Sequence, residues 1–464
     1  MSQFNNQRTD NLKIFTLNFS DINGRLDPLY YYSVNNLEIV NKTIYPIKKL
    51  CQVIDMQRGR FGHRPRNEPK LYGGEYPFIQ TGDIVRASQS NGKITYSQTL
   101  NELGLKTSRL FDKPVVVITI AANIGDTAIL DYPACFPDSL IGMTPKNNEL
   151  TLQYINLYFK FIKSYLEDLA PQSAQKNINY QQLSPVPIVV PPLEIQDKAV
   201  ELYEKALHES QQQQQQAQAL LASIDTYLLT ELGITLPEQD NSLEKRMFRV
   251  SFQQITGERF DAPIQMSQFS LHSTKYPMKR LTQSFIFNPK TIIDTKICSF
   301  IPMEKISDES GSITSVAETI EPSTSLGYTQ FQDNDLLWAR ITPCMQNGKS
   351  AVATGLINGV GLGSTEYLIF RALHENNIHY LHAILRLCYL RRSAMLYFGG
   401  ATGHQRVSPI FFKRMKIPLP PIQKQNEIAE HIQAIRTQAK QLQTQAEQLL
   451  ANAKAHIEQM ILGQ

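Results

Sequence analysis

The sequence predicts an α+β protein in which two globular domains are joined by two long antiparallel helices, a coiled coil, with an internal pseudo-two-fold repeat. Three observations predict this fold. A proline-led segment occurs twice, each copy opens a tract with heptad-spaced apolar residues, and the two remaining stretches mix strand-like and helix-like runs.

The repeated segment marks where two helices begin. Pro191–Gln196 (PPLEIQ) returns as Pro420–Gln425 (PPIQKQ), 229 positions later (420 − 191). Proline is favoured in the first turn of a helix, where its missing N–H has no intrahelical partner to lose. The first tract ends before Gly233 and Pro237, which is typical of a helix C-terminus.

Apolar residues at alternating three- and four-residue spacing form one stripe along each tract, and such a stripe packs against another helix. The two stripes share positions 229 apart and end at Tyr227 and His456, so the partner expected for each tract is the other (456 − 227). Glutamine favours helix, and we expect one continuous helix through Gln211–Gln216. The residues expected at this helix-pair seam are Ala206, Ala217, Leu220, Ile224, Ile428, Ile432, Ile435, Leu442 and Leu449.

The two remaining stretches are predicted to be α+β domains. Strand-like and helix-like runs alternate, and glycine-containing turns separate them. The predicted strands are Val115–Ile120, Leu336–Ile341 and Tyr367–Ala372, the helices are Leu152–Leu169 and Tyr380–Arg391, and turns include Gly82-Asp83 and Asn347-Gly348. The predicted organisation is a first domain over 1–190, a helix over 191–235, a second domain over 236–418 and a helix over 419–464. Each domain opens alike, because Phe15–Pro28 is echoed by Phe248–Pro263.

Composition sets the outer bounds. The chain has 464 residues, a net charge of +4 and five cysteines without paired spacing. Such cysteine usage is typical of a reduced intracellular protein without a zinc site. The mild net charge means that any nucleic-acid surface must be a local patch. The longest apolar run, Val115–Ala122, is too short to span a membrane, and Met1–Asp10 is polar, so no membrane association and a cytoplasmic location are expected.

These features together resemble a known family, the specificity subunit of type I restriction-modification systems. The resemblance covers essentially the whole chain. It is carried by motifs whose order along the chain repeats at a near-constant offset. These motifs are the proline-led helix openings, the duplicated Arg25–Asp27 and Arg259–Asp261, Tyr76–Ile84 and Ala339–Lys349. The resemblance implies that the two domains are target-recognition domains, which alternate with two long helical conserved regions.

The resemblance also implies a function and partners. It implies a non-catalytic subunit that recognises a bipartite sequence in double-stranded DNA and recruits two modification (methyltransferase) subunits along its helices. Restriction (nuclease and translocase) subunits would complete the assembly. No cofactor is expected in this chain, whereas S-adenosylmethionine, ATP and Mg are expected on the partner subunits.

In the first domain, an arginine-rich segment is the candidate DNA-reading surface. Arginine can bond guanine in the major groove or clamp a phosphate, and the interspersed glycines would let backbone approach the duplex. The alternative is a solvated basic loop, or for Gln80 and Thr81 a turn between strands. The candidates are Arg58, Arg60, Arg64, Arg66, Lys70, Gln80, Thr81 and, before the helix, Lys176.

In the second domain, amide and basic side chains cluster after a predicted strand. Asn and Gln match the edge of adenine, and Lys suits a phosphate. The alternatives are a hairpin turn at Asn347-Gly348 and, for Lys176 and Arg406, solvated charges. The candidates are Arg340, Thr342, Gln346, Asn347, Lys349 and Arg406.

Two other classes of function stay open at this point: a self-contained DNA methyltransferase or nuclease, and a coiled-coil scaffold that binds no DNA. Pro343 stands where a phosphate-binding loop ending in Gly348-Lys349-Ser350 needs its first glycine. Asp27-Pro28-Leu29-Tyr30 lacks the second proline of an adenine-methylase motif. Salt-dependent binding to one bipartite sequence separates the DNA-reading protein from the scaffold. Methylation by the purified chain alone would establish the methyltransferase.

Overall fold

The computed structural model describes residues 42–62, 68–90, 93–170, 177–236, 249, 271–322, 327–400 and 403–463. Contacts divide the chain into two compact units, Met1–Gln211 with Ala446–Gln464, and Gln212–Gln445. Each unit therefore holds one mixed body together with one half of each long helix. The repeated segments Phe15–Pro28 and Phe248–Pro263 lie outside the described residues, apart from Arg249.

The first unit contains ten short strands and six short helices among its described residues. The strands are β1 Ile47–Lys49, β2 Ile54–Arg58, β3 Tyr72–Pro77, β4 Thr99–Leu100, β5 Leu110–Phe111, β6 Val115–Thr119, β7 Thr127–Leu130, β8 Ala134–Cys135, β9 Leu140–Pro145 and β10 Pro187–Val189. The helices are α1 Leu50–Val53, α2 Thr81–Ser90, α3 Glu102–Thr107, α4 Leu152–Phe161, α5 Lys163–Leu169 and α6 Tyr180–Leu183.

The long helix α7, Leu193–Glu231, leads into the second unit. The described strands there are β11 Met278–Arg280, β12 Phe285–Phe287, β13 Cys298–Ile301, β14 Thr319–Ile320, β15 Thr329–Gln332, β16 Asp335–Ala339, β17 Ser350–Val352, β18 Val360–Gly363, β19 Tyr367–Ala372, β20 Phe398–Gly399, β21 Arg406–Val407 and β22 Lys416–Pro418. The helices are α8 Cys344–Asn347, α9 Ile378–Arg386, α10 Cys388–Met395, α11 Ile410–Arg414 and α12 Ile422–Leu462.

Both units are built on the same antiparallel four-stranded sheet. Its strand order is β2-β9-β6-β7 in the first unit and β12-β19-β16-β17 in the second. Numbered along the chain within each unit, both orders are 1-4-2-3. A second shared feature is a two-stranded ladder in front of the long helix, β1 with β10 and β11 with β22. The repeat detected in the sequence therefore holds at the level of topology.

Burial explains why the middle of each central strand is apolar. Val116 and Ile118 of β6 face one core, which includes α4 and the long helices, and Val117 faces a second core on the other side of the sheet. In β16, Leu336 and Trp338 face one core and Leu337 the other. Successive strand residues point to opposite faces, so a strand covered on both faces is mostly apolar, and the polar Thr119 and Asp335 stand at the strand ends.

The two bodies differ in what is inserted between the first and second strands of this sheet. In the first unit that insertion carries β3, β4 and β5 with α2 and α3. In the second unit it carries β13, β14 and β15, which join β18 in another four-stranded sheet ordered β14-β13-β18-β15. A common frame thus carries a different insertion in each half.

Within each unit, the two long helices run antiparallel. In the first unit, Ser210 Oγ donates to the carbonyl of Ala446 at 3.0 Å. Ala199 and Tyr203 share a core with Ile457 and Ile461. In the second unit, Lys424 lies 2.6 Å from the carboxylate of Glu231, and the Tyr227 and His431 rings are 4.2 Å apart. Early residues of one helix thus meet late residues of the other.

Burial along the helices follows the predicted seam with one correction. Ala206, Ala217, Ile428 and Ile432 are buried, whereas Leu220, Ile224, Ile435, Leu442 and Leu449 are half-buried. The expected end at His456 is wrong, because His456 is exposed and Ile457 is fully buried. Tyr227 is half-buried and its ring packs on His431, and Leu228 beside it is fully buried. Leu228 and Ile457 follow Ile224 and Ala453 by four residues, as the helical period allows, and they keep the 229 offset (457 − 228).

A buried glutamine fastens each long helix to its body. Gln196 Nε2 donates to the carbonyls of Glu149 and Pro191, at 2.7 and 2.8 Å, while its Oε1 accepts from the Thr151 N–H at 3.0 Å. Gln425 Oε1 accepts in the same way from the N–H of Asn377 at 3.0 Å. Thr151 and Asn377 are the N-cap residues of α4 and α9.

Several predicted elements shift by a few residues. The helix expected over Leu152–Leu169 is broken at Ile162, and the one over Tyr380–Arg391 divides into α9 and α10. The turn expected at Gly82-Asp83 is wrong, because both residues lie in the first turn of α2. Asp83 accepts from the N–H of Gln80 at 2.7 Å, so the acidic residue satisfies a free donor at the helix start.

Candidate nucleic-acid interface

One edge of the four-stranded sheet collects most of the described candidate residues in each unit. In the first unit, β9 is antiparallel to β2 and β6, with Arg58 opposite Ile141 and Thr119 opposite Leu140. The C-terminal ends of β2 and β6 therefore meet the N-terminal end of β9. In the second unit, Ala339 at the end of β16 lies opposite Tyr367 at the start of β19. Loops that leave this edge share one surface of their body.

Arg58 and Arg60 lie at this edge and are exposed. Arg58 Nε donates to the carbonyl of Asp138 at 2.5 Å, which fixes the side chain beside the start of β9. Between them, Gly59 is buried, and a Cβ there would lie 2.3 Å from the carbonyl oxygen of Pro137. The expectation that Gly59 lets backbone approach a duplex is therefore wrong, since the close approach is to the chain itself.

The same surface contains a basic residue that the sequence analysis missed. Arg109 Nη1 donates to the carbonyl of Arg58 at 2.7 Å, and Ser108 Oγ donates to the carbonyl of Arg60 at 2.7 Å. Arg109 is 49 positions from Arg60 in sequence (109 − 60) and belongs to no basic run. The way the segment between β2 and β6 folds, and not closeness in sequence, places Arg109 beside Arg58.

The other candidates of the first unit are distributed around this edge. Thr81 Oγ1 lies 3.2 Å from the hydroxyl of Ser139, which places it at the start of β9. Gln80 is exposed, and its amide donates to the side chain of Gln98. Lys70 is exposed in a 3₁₀ turn, 3.9 Å from the carboxylate of Glu68. The candidates that lie outside the described residues are Arg64, Arg66 and Lys176.

In the second unit, the structure joins two candidates that are far apart in sequence. Arg340 Nε lies 3.2 Å from Glu366, and Arg406 donates to both oxygens of the same carboxylate, at 2.6 and 2.9 Å. Thr342 N–H donates to the carbonyl of Gln405 at 2.9 Å. Arg340, Thr342 and Arg406 thus form one polar cluster, and Glu366, which was not a candidate, neutralises part of its charge.

Hydrogen bonding by both arginines lowers the pKa of Glu366, with Arg406 as the largest contribution. The side chain of Glu366 is 16% exposed, so the carboxylate is held ionised between its partners. The equivalent position in the first unit, the residue before the first residue of β9, is Ser139. The two edges therefore differ in charge as well as in inserted structure.

Two arginines fix the loop that carries the remaining candidates. Arg386 Nη1 donates to the carbonyl of Gly348 at 2.6 Å, and Arg391 Nη1 donates to that of Gln346 at 2.6 Å. Burial lowers the pKa of Arg386 to about 9. Both arginines donate to carbonyls of the chain itself, and Arg386 is half-buried, so its guanidinium group holds the loop in place.

The loop itself presents two exposed amides. Gln346 and Asn347 are exposed at the end of α8, and Gly348 adopts φ +85, which glycine accepts without strain. Lys349 is half-buried and donates to the carbonyl of Met303 at 3.1 Å. Asn347 ends a short helix rather than forming a two-residue hairpin turn, so the hairpin alternative is wrong.

The described residues were predicted to hold no metal site and no reactive group. Among the described residues, no group of three or more His, Cys, Asp or Glu side chains is placed to hold a metal ion. Burial raises the pKa of the Cys135 thiol, which disfavours the reactive thiolate. Within the described ranges, no helix combines the length and apolar character needed to cross a bilayer.

These observations define a class: a tandem α+β protein whose two bodies share one frame and present a polar, partly basic sheet edge. A family model described as "Type I restriction modification DNA specificity domain" matches residues 17–220 and 286–451, well over half of the chain. The chain belongs to this family. The match falls once in each half, as the repeated topology requires.

Two curated relatives are similar to part of this chain. The Type I restriction enzyme EcoAI specificity subunit of Escherichia coli is 32% identical over 179 residues, which is 38% of this chain and 30% of that protein. The EcoEI specificity subunit of the same organism is 30% identical over 179 residues, with the same two shares. The alignments therefore span about a third of either relative.

The fold has a known counterpart. A solved structure described as "Structural basis underlying complex assembly and conformational transition of the type I R-M system" has a TM-score of 0.55 at 14% identity. The match covers 90% of this chain and 96% of the other. At this identity, the likeness supports the fold alone.

Proposed function

We propose that this chain is the DNA sequence-specificity subunit of a type I restriction-modification enzyme. In this role each body binds one part of a bipartite target in double-stranded DNA. The single observation that carries the proposal is the shared sheet edge, because the same topological position gathers exposed arginine and amide side chains in both units. Arginine and amide groups are the side chains that contact phosphates and base edges.

The proposal assigns no reaction to the chain itself. Methylation would be carried out by two modification subunits that bind the outer faces of the long helices, and restriction (nuclease and translocase) subunits would join them. S-adenosylmethionine, ATP and Mg would be bound by those partners. Family membership supports this division of labour.

Selection from a randomised duplex library tests the proposal. The full chain, alone and co-expressed with its modification subunit, should enrich sequences with two fixed parts separated by a spacer of constant length. Affinity should fall steeply with salt, because phosphate contacts release counterions. A protein that enriches no sequence in either form would be a scaffold instead, and methyl transfer by the chain alone would identify a methyltransferase.

A further inference from the structure

A polar groove of about 390 Å³ opens at the sheet edge of the second unit. One wall comes from the shared frame, with Arg340 and Thr365 beside the start of β19, and from Lys290 after the end of β12. The opposite wall is the strand β15 and the residue before it, which contribute Gln330 and Tyr328. Of these five residues, only Arg340 was expected to bind DNA.

The internal repeat identifies the counterpart of this groove in the first unit. Asn288 is the first residue after β12, and its N–H donates to Ile369 in β19 at 2.8 Å. Gly59 is the first residue after β2, and its N–H donates to Leu140 in β9 at 2.9 Å. The segment with Lys290 therefore stands where the arginine-rich segment stands in the first unit. The segments that follow β2 and β12 share no sequence motif, so their equivalence is visible in the structure alone.

The side chains of three groove residues are exposed and available to contact a ligand. Lys290 and Gln330 are exposed, and within the described part of the chain their side chains make no hydrogen bond or ion pair. The Tyr328 ring is 41% exposed and meets Phe300 edge-on at 5.2 Å, which holds it in place. Arg340, by contrast, is paired with Glu366.

We propose that this groove binds the DNA duplex and that Lys290, Tyr328 and Gln330 are further recognition residues. Lys290 contacts a phosphate, Gln330 reads a base edge through its amide, and Tyr328 packs against the nucleotide between them. The division follows from the groups available on the opposing walls. These are a cation and an amide that have no partner among the described residues, and a ring held in place by Phe300. This inference rests on the proposed function and names residues for it.

The two walls of the groove have separate roles in this assignment. Lys290 follows the frame strand β12 by three residues, just as Gly59 and Arg60 follow β2 in the first unit, so it suits contacts that do not depend on sequence. Gln330 lies on β15 and Tyr328 is the residue before it, in the part of the insertion that differs between halves. Sequence discrimination is therefore assigned to the β15 wall, and positioning to the wall that contains Lys290.

The test uses the full chain assembled with its modification subunit, on the target obtained by library selection. The variants are Lys290→Ala, Gln330→Ala and Tyr328→Ala. The matched control is Lys296→Ala, which removes an exposed lysine a few residues beyond Lys290 and outside the groove. Thermal unfolding of each variant confirms folding, since the three groove side chains are exposed.

Each variant has its own expected signature. Lys290→Ala should weaken target and non-target DNA alike and lower the slope of log affinity against log salt by about 0.9. Gln330→Ala should relax one or two positions of one half-site, roughly 5- to 150-fold, with the salt slope unchanged. Tyr328→Ala should weaken target binding roughly 5- to 100-fold, as loss of a ring contact with a nucleotide does. Lys296→Ala should match the wild-type protein.

The outcomes separate this proposal from the proposed function. If the wild-type assembly selects a bipartite target but all three groove variants keep its affinity and selectivity, the groove is not part of the interface. If the variants instead lose the modification subunit, the groove binds protein and the inference is wrong. If the wild-type assembly selects no DNA sequence, both the proposed function and this inference are overturned.

Discussion

Glu366 shows how one carboxylate controls two candidate DNA contacts. It accepts hydrogen bonds from Arg406 and lies 3.2 Å from Arg340, so it orients both guanidinium groups and reduces their net charge. A cation that already has a partner in the free protein must exchange it for a phosphate on binding. This cluster is therefore suited to specific contacts rather than to general attraction for DNA.

Replacing Glu366 with glutamine should separate its orienting effect on the two arginines from its effect on their net charge. The variant should lose about 1 to 3 kcal/mol of stability at neutral pH, because arginine–carboxylate ion pairs become weaker hydrogen bonds from arginine to a neutral amide. It should also bind non-target DNA more tightly, with a steeper salt dependence, because one negative charge is gone. Denaturant unfolding and binding titrations measure both, with the exposed Glu375→Gln as control. Unchanged non-target affinity would contradict the neutralising role.

The difference in stability between the wild-type protein and Glu366→Gln should become smaller as the pH falls. The pKa of Glu366 is lowered in the folded protein, chiefly by Arg406. A carboxyl group with a lowered folded pKa contributes stability that is fully present above its unfolded value, about 4.3, and is lost as pH falls through the folded value. The gap between wild type and Glu366→Gln should therefore be constant above about pH 5.5 and narrow below about pH 4.

Arg58 and Arg60 give a prediction for the first half-site. Replacing a base-reading arginine with alanine should cost about 1 to 3 kcal/mol and relax one position, whereas replacing a phosphate clamp should weaken all sequences and flatten the salt slope by about one. The control is Lys113→Ala, an exposed lysine before the start of β6 and thus at the opposite sheet edge. Two variants that bind like this control would exclude Arg58 and Arg60 from the interface.

At the scale of the element, the two buried glutamines join each body to its helix. Gln196 and Gln425 occupy equivalent positions, are 0% and 2% exposed, and bond the N-cap residue of α4 or α9. Each also donates to the proline carbonyl that precedes its long helix, Pro191 or Pro420. One side chain thus satisfies backbone groups of two elements that meet at the helix start.

Replacing either glutamine with alanine should destabilise its unit by a similar amount. The change leaves a buried N–H and a buried carbonyl without partners, which costs about 1 to 3 kcal/mol. Chemical denaturation of Gln196→Ala and Gln425→Ala measures this, and Gln423→Ala, at an exposed position two residues before Gln425, serves as control. If both variants had the same free energy of unfolding as the control, the hydrogen bonds of Gln196 and Gln425 would not stabilise the protein.

The corrected seam gives a second prediction for the helices. Ile457 is fully buried and His456 beside it is exposed. Ile457→Ala should cost about 2 to 5 kcal/mol, because it removes buried methyl groups and leaves a cavity. His456→Ala should change stability by less than about 0.5 kcal/mol. Thermal unfolding of the two neighbouring variants decides between the observed seam and the one that ends at His456.

At the scale of the whole molecule, the internal duplication predicts how many modification subunits bind one chain. Each unit carries the same sheet order and the same glutamine-bonded helix start, so the chain offers two equivalent sets of surfaces. We expect two modification subunits to bind one chain, and methylation to appear only in that complex. Native mass spectrometry of the co-expressed proteins measures the ratio. A stable one-to-one complex at excess modification subunit would contradict two equivalent sites.

Local patterns in the sequence determined the repeat, the long helices and the central strands. The proline pairs place the starts of α7 and α12 at Leu193 and Ile422, and the strand predicted over Tyr367–Ala372 has those bounds. Helix starts depend on nearby residues, and a strand covered on both faces is mostly apolar, so neighbours in sequence contain the information.

The sheet edge was decided by tertiary structure. Arg386 and Arg340 look alike in sequence and both are half-buried, yet Arg386 donates to the carbonyl of Gly348 and Arg340 lies beside the carboxylate of Glu366. Arg109 joins Arg58, and Lys290 faces Gln330, across many intervening residues. What a charged side chain does depends on the partners that the fold brings to it, and those partners follow from strand order rather than from sequence neighbours.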